Sequence, residues 1–228
     1  MKTKFILFFI LFIALFTSYA KPTTSTLTHY IETAKSTINQ IPQERKEVIS
    51  ALADYINVQL KANKPVNLVF ICTHNSRRSQ MSQIWAKVAA EHYQLSSKIK
   101  TYSGGTESTA FNPRAVQAME RAGLKIEKPV GTNPHYLVTF SDTVPAIECF
   151  SKIYSDAFNP QKNFIAVLNC SDADKNCPNV KGADFRTAIK YDDPKLADGT
   201  PEEQKTYDER CQQIATEMFY LMSRVNTK

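Results

Sequence analysis

Several things are scarce in this 228-residue chain, and each scarcity removes a class of protein. There is no internal repeat and no low-complexity tract, so a solenoid or a disordered array is excluded. Apart from Phe5 to Phe16, no run is long and apolar enough to cross a bilayer, and twelve apolar residues are too few to span one comfortably. No basic cluster stands out. The 28 Lys and Arg residues are scattered among 22 Asp and Glu, which gives nucleic-acid binding no support. The cysteines lack a short Cys pair with an accompanying His, so neither a metal site nor a bound cofactor is expected.

What is present begins at the N-terminus. Met1-Lys2-Thr3-Lys4, the apolar run, and Thr17-Ser18-Tyr19-Ala20 have the basic start, short apolar core and small residues of a secretory signal. Residues 1–20 are therefore read as a signal peptide and the mature chain as exported, periplasmic or secreted, with no membrane attachment after cleavage. Its formal charge would fall from +6 to +4, a modest field that helps attract anions. Residues 21–63 read as a helical N-terminal extension, with Val48, Leu52, Ile56 and Leu60 at helical spacing. Residues 64–228 read as one domain large enough for a core of its own.

Within that domain, apolar strands alternate with amphipathic helices. Strands are expected at Asn67–Ile71, Ile99–Ser103, Phe164–Asn169 and, more weakly, Phe185–Ile189. Met81, Ile84, Trp85 and Val88 form the stripe of the first helix. Asn112-Pro113 starts another and Gly123 ends it. Tyr136–Phe140 and Ile147–Tyr154 read as an inserted strand and helix. Thr200-Pro201-Glu202-Glu203 reads as a capping box opening a last helix that carries Tyr207, Ile214, Met218 and Leu221. The order implies an α/β fold, a parallel, flavodoxin-like sheet of about four strands flanked by helices, in which ligands sit beyond the carboxyl ends of strands.

The densest chemistry is Cys72-Thr73-His74-Asn75-Ser76-Arg77-Arg78-Ser79, set between the first strand and its helix. Successive amides in such a turn form an anion nest, the helix N-terminus adds positive potential, and Arg78 can clamp two oxygens. That field favours thiolate at Cys72, making it the candidate nucleophile. Asn75 suits a left-handed backbone and Ser79 suits a hydrogen bond to the sulfur. His74 reads as a loop-surface residue. Five cysteines in an exported chain leave at least one thiol unpaired. Cys149 and Cys211 fall at apolar helical positions and read as core. Cys170 lies at the end of another strand, 98 positions from Cys72, and the topology lets both face one crevice.

The run Val69 to Met81 resembles the phosphate loop of the low-molecular-weight tyrosine phosphatase superfamily, and Ser79-Gln80-Met81 leans toward its thioredoxin-coupled arsenate reductase branch. The resemblance extends over about residues 66–226. Two departures are that His74 stands where glycine is frequent, leaving the loop without glycine, and that Arg77 adds a second cation. Asn169 to Pro178 resembles the redox loop of those reductases. The resemblance implies the low-molecular-weight phosphatase fold, an oxyanion substrate held by Thr73, His74, Asn75, Ser76, Arg77 and Ser79, and a thiol relay. In that relay Cys72 attacks arsenate, Cys170 displaces arsenite, and Cys177 carries the oxidation out to a thioredoxin-like dithiol donor. A static Cys170–Cys177 disulfide and two inert thiols on a phosphatase are the competing readings. The resemblance also makes Asp193, before Pro194, the acid that protonates the leaving oxygen, with Asp192 as runner-up. Phosphatases of this fold carry aromatic residues soon after that Asp-Pro, whereas Lys195-Leu196-Ala197-Asp198-Gly199 follows here. The expectation is arsenate reduction. The alternatives are phosphomonoester or phosphotyrosine hydrolysis through a Cys72 phosphocysteine, and a catalytically weak oxyanion-binding or redox-sensing protein.

Overall fold

The computed structural model describes residues 25–177 and 179–226, so the proposed signal, residues 1–20, lies outside the described residues. In chain order the elements are α1 (Ser25–Ser36), a 3-10 turn (Ile38–Gln40), α2 (Gln43–Lys61), β1 (Val66–Cys72), α3 (Arg78–His92), β2 (Ile99–Gly105) and α4 (Pro113–Arg121). They continue with β3 (Lys125–Glu127), β4 (Tyr136–Thr139), β5 (Ile147–Cys149), β6 (Phe164–Leu168), α5 (Ser171–Asn176) and β7 (Ala183–Ala188). A second 3-10 turn (Pro194–Ala197) and α6 (Glu203–Ser223) complete the order. Strands β2-β1-β6-β7 form one parallel sheet, the expected α/β architecture.

Side chains of β1 alternate between the sheet's two faces, as the period of two requires. Leu68 and Phe70 enter the large core with Trp85, Met119, Ile214 and Met218, while Val69 and Ile71 enter a smaller one with Phe164, Leu168, Ala173 and Val180. The large core is shared by the N-terminal helices: Leu27, Ile49, Leu52 and Ile56 are buried in it. Tyr30 stacks on Trp85 with ring centroids 5.1 Å apart. Arg45 forks onto the buried Glu217 of α6, both N–H···O contacts being 2.6 Å.

Four local expectations are corrected. Val48 is 39% exposed, and Ile49 takes its place in the buried face Ile49-Leu52-Ala53-Ile56. Residues 147–154 form no helix. Ile147 and Cys149 flank Glu148 with a period of two, and β5 pairs antiparallel with β4 in a small sheet β3-β4-β5. Cys149 is therefore buried core on a strand, not on a helix. The start of α6 also differs. Glu203 is its first residue, and its carboxylate accepts from Gly199 N–H at 2.5 Å rather than closing a box with Thr200. The second strand, expected over Ile99–Ser103, runs on through Gly104 and Gly105, and Gly105 is required there. A Cβ on it would lie 2.1 Å from Glu107 O and 2.6 Å from Thr73 O, so only glycine lets the Cys72 loop close against this strand.

Candidate active site

Cys72 ends β1 and Arg78 starts α3, so the loop between them sits at the carboxyl edge of the sheet. Its carbonyls are drawn outward one after another. Cys72 O accepts from Thr106 N–H (3.1 Å) and Thr73 O from Glu107 N–H (2.8 Å). His74 O accepts from Ser151 Oγ (2.8 Å), Asn75 O from Gln80 Nε2 (3.1 Å), and Ser76 O from Asn112 N–H (2.9 Å). A trans peptide points its N–H opposite its C=O. Five outward carbonyls therefore turn the amides of Thr73, His74, Asn75, Ser76 and Arg77 toward the loop's interior, the nest an oxyanion needs.

Asn75 supplies the bend that the loop lacks a glycine to make, with φ at +47°. It is fully buried and its side chain is fixed at both ends: Oδ1 accepts from Lys152 N–H (3.0 Å), and Nδ2 donates to Ser79 Oγ (2.8 Å). Because that hydroxyl oxygen is occupied as an acceptor, its proton is free for Cys72 Sγ, 3.0 Å away. Ser79 is thereby aimed at the sulfur, as the sequence suggested.

Arg78 is buried and held from the far side. Nη1 donates to Tyr191 O at 3.0 Å, Nη2 meets Asp193 Oδ2 at 2.6 Å, and Nε is buried without a partner among the described residues. An unpartnered guanidinium N–H is costly unless something fills it, and an oxyanion in the nest would. Asp193 caps the following 3-10 turn through Lys195 N–H (3.1 Å). Asp192 projects to solvent, its side chain 92% exposed and 3.4 Å from Arg210, so Asp193 is the carboxylate that reaches Arg78.

The two residues that depart from the family pattern are set differently, His74 exposed at the rim and Arg77 largely buried. His74 faces Glu107 at 3.4 Å with its ring half exposed. Arg77 donates through Nε to Tyr207 Oη (2.7 Å) and through Nη2 to Asp198 Oδ2 (3.2 Å). Burial and the hydrogen bond to Asp198 push the Tyr207 phenol up to about 12, so it stays protonated and donates to Asp198.

The second thiol lies where register puts it. β1 and β6 run parallel with Ile71 opposite Leu168, so Cys170 emerges level with Thr73. Its Sγ is 3.5 Å from Thr73 Oγ1 and accepts from Ala173 N–H at 3.3 Å, capping α5. Cys177 closes the other end of α5. All five cysteines are free thiols. Burial raises the thiols of Cys149 and Cys211 to about 12 and about 11, which leaves both inert in the core.

Sequence reasoning missed the outer supports. Gln80, Ser151, Thr106 and Tyr191 hold the loop or its arginine, and Arg186 and Asp174 hold α5. Only Gln80 carried a signal, as part of Ser79-Gln80-Met81.

A strand-end thiol under an amide nest, with a buried arginine and an adjacent carboxylate, is an arrangement that can hold a tetrahedral oxyanion over a nucleophilic sulfur. Residues 67–137 match the family described as low molecular weight phosphotyrosine protein phosphatase. The arsenate reductase of Bacillus subtilis is 33% identical over 143 residues, 63% of this chain and 84% of that protein. That of Shouchella clausii is 35% identical over 136 residues, 60% and 79% of the two chains. A solved low-molecular-weight protein tyrosine phosphatase from T. tengcongensis is 15% identical with a TM-score of 0.48, covering 70% of this chain and 99% of that one. The chain belongs to the low-molecular-weight phosphatase superfamily, in its arsenate reductase branch.

Proposed function

We propose that this enzyme reduces arsenate to arsenite by a three-thiol relay. The observation that supports it best is Cys170, a buried thiol 3.5 Å from the first hydroxyl of the Cys72 loop, with Cys177 one short helix away. Cys72 thiolate attacks arsenic, and Asp193 serves as the acid through which a proton reaches the departing oxygen, which leaves as water. Cys170 thiolate then attacks Cys72 Sγ. The Cys72–Cys170 bond forms, the S–As bond breaks, and arsenite leaves with the electron pair, so two thiols lose the two electrons that arsenic gains. Cys177 next attacks Cys170, releasing Cys72 as thiolate, and a thioredoxin-like dithiol donor reduces the Cys170–Cys177 disulfide. Throughout, the loop amides and Arg78 hold the developing charge.

The Arg78–Asp193 contact serves phosphomonoester hydrolysis equally well, and that is the second reading. Pre-reduced protein with arsenate and a thioredoxin-recycling system separates the two. Arsenate-dependent reductant consumption over many turnovers, lost in Cys177→Ser, supports the relay. Aryl phosphate hydrolysis that survives Cys177→Ser, without arsenate turnover, makes the enzyme a phosphatase. Export is proposed from the pattern of residues 1–20, and N-terminal sequencing of the protein from an extracytoplasmic fraction tests it.

A further inference from the structure

α5 has six residues, too few to be stable alone. Its supports are few and specific. Cys170 Sγ caps the N-terminal end and Ala173 is buried beneath it. The C-terminal end is gripped by one side chain from β7. Arg186 Nη2 donates to Asp174 O (2.7 Å) and to Asp174 Oδ1 (2.5 Å), and Nε donates to Cys177 O (3.0 Å). Lys190 Nζ adds a contact to Asp174 Oδ2 at 3.3 Å.

In this state Cys170 and Cys177 cannot bond. Seven helical steps separate their Cα atoms by about 10.5 Å, and a disulfide needs roughly 7 Å or less. For Cys177 to reach Cys170 the helix must come apart, and Cys177 O and Asp174 must leave Arg186. We infer that Arg186 is a positioning residue with two opposed effects: with Asp174 it latches α5 shut and so limits the rate at which Cys177 attacks, and its guanidinium, held beside Cys177 through the bond to Cys177 O, favours the thiolate form there. This rests on the relay reading above. The step itself is an exchange. Cys177 loses its proton to solvent and attacks Cys170 Sγ of the Cys72–Cys170 disulfide, the 170–177 bond forms, and Cys72 leaves as thiolate, with no net oxidation. Burial raises the Cys177 thiol, the Cys170 sulfur raises it further, and the Arg186 guanidinium opposes both. Among the described residues, Cys170 and Arg186 are the titratable or charged neighbours that act on it.

The latch can be tested without arsenate. In the mature chain carrying Cys72→Ala, Cys170 and Cys177 are left to pair with each other. Diamide removes their two electrons and two protons, and the disulfide is followed by mass spectrometry. Asp174→Asn and Arg186→Lys should form it roughly five- to tenfold faster, because each loses the charged fork. Alkylation of Cys177 across pH then separates the two roles. Arg186→Lys, which keeps the charge, should retain the wild-type profile. Arg186→Gln should open as fast but react with a profile displaced to higher pH. Rates within twofold of the parent in Asp174→Asn, or identical profiles in Arg186→Lys and Arg186→Gln, overturn the inference. Arsenate turnover that survives Cys177→Ser instead overturns the relay reading, whatever the latch does.

Discussion

β1 and β6 lie side by side and run the same way, and each leads through a cysteine into a helix, Cys72 as the last residue of β1 and Cys170 two residues past the end of β6, yet the two ends are built oppositely. After Cys72 every carbonyl through Ser76 is tied to a donor elsewhere in the chain, and α3 continues for fifteen residues with its first face buried. After Cys170 the helix lasts six residues, and one arginine grips its far end. The first arrangement fixes amides that must wait in place for a charge, since preorganised donors stabilise it without rearranging. In the proposed relay, the second would hold a thiol only until it has to travel. Identical starting topology thus gives a rigid site or a releasable one according to where the supporting hydrogen bonds come from.

The contrast can be sharpened by experiment, beginning with the largest effect. Cys72→Ala should abolish turnover by at least about 10⁴-fold while leaving the thermal transition nearly unchanged, because the loop is held by its carbonyls rather than its sulfur. Steady-state kinetics and a melting curve check both halves. Arg78→Lys should cost on the order of 10²- to 10³-fold in kcat/KM, since lysine cannot reproduce the fork that spans Tyr191 O and Asp193. Asn75→Ala removes the bonds to Ser79 and Lys152 and puts alanine at φ +47°, so it should lower stability by about 2–3 kcal/mol in urea unfolding. Asn75→Gly should recover only the backbone part of that loss.

Acid should separate the two strand ends more gently. The Arg186 hydrogen bond holds the Asp174 carboxyl below the usual carboxylate range. A depressed acid contributes its stabilisation in full above its unfolded value near 4. It loses that contribution as pH falls through the lower folded value. Amides of α5 should therefore lose hydrogen-exchange protection below about pH 4. Protection in α5 that is the same in Asp174→Asn as in the wild type at neutral pH would contradict the assigned role of the pair. The smallest effect is expected at Cys211, a core thiol that accepts from Trp85 Nε1 at 3.2 Å. Cys211→Ala should cost about 1 kcal/mol and leave turnover intact.

The same contrast explains what the sequence made legible. The Cys72–Ser79 loop could be read because its function is local: thiol, polar turn and arginine fall within eight consecutive residues, and the apolar strand before them sets their position. Asn75 was readable from its tolerance of positive φ. Cys170 could be placed by topology, since both cysteines follow apolar strands of one sheet. The supports were not readable. Ser151 lies 77 positions from His74, and Arg186 is twelve from Asp174 on a different element, so nothing local marks either contact. The Ile147–Tyr154 stretch misled because a three-residue strand is too short to display its period, and Val48 because two neighbouring β-branched residues fit a helical stripe equally well until the core selects one.

The fork between Arg45 and Glu217 has a consequence for the order in which the molecule can be made. It joins the second described helix to the last, 172 positions later, and α1 and α2 bury Leu27, Ile49, Leu52 and Ile56 in a core that α6 completes. While the chain is being synthesised these helices have no finished surface to rest on until almost every residue has appeared. Closure is therefore a late event that depends on the whole length. A chain halted before residue 203 should leave α2 open to protease, although its own helical residues are all present.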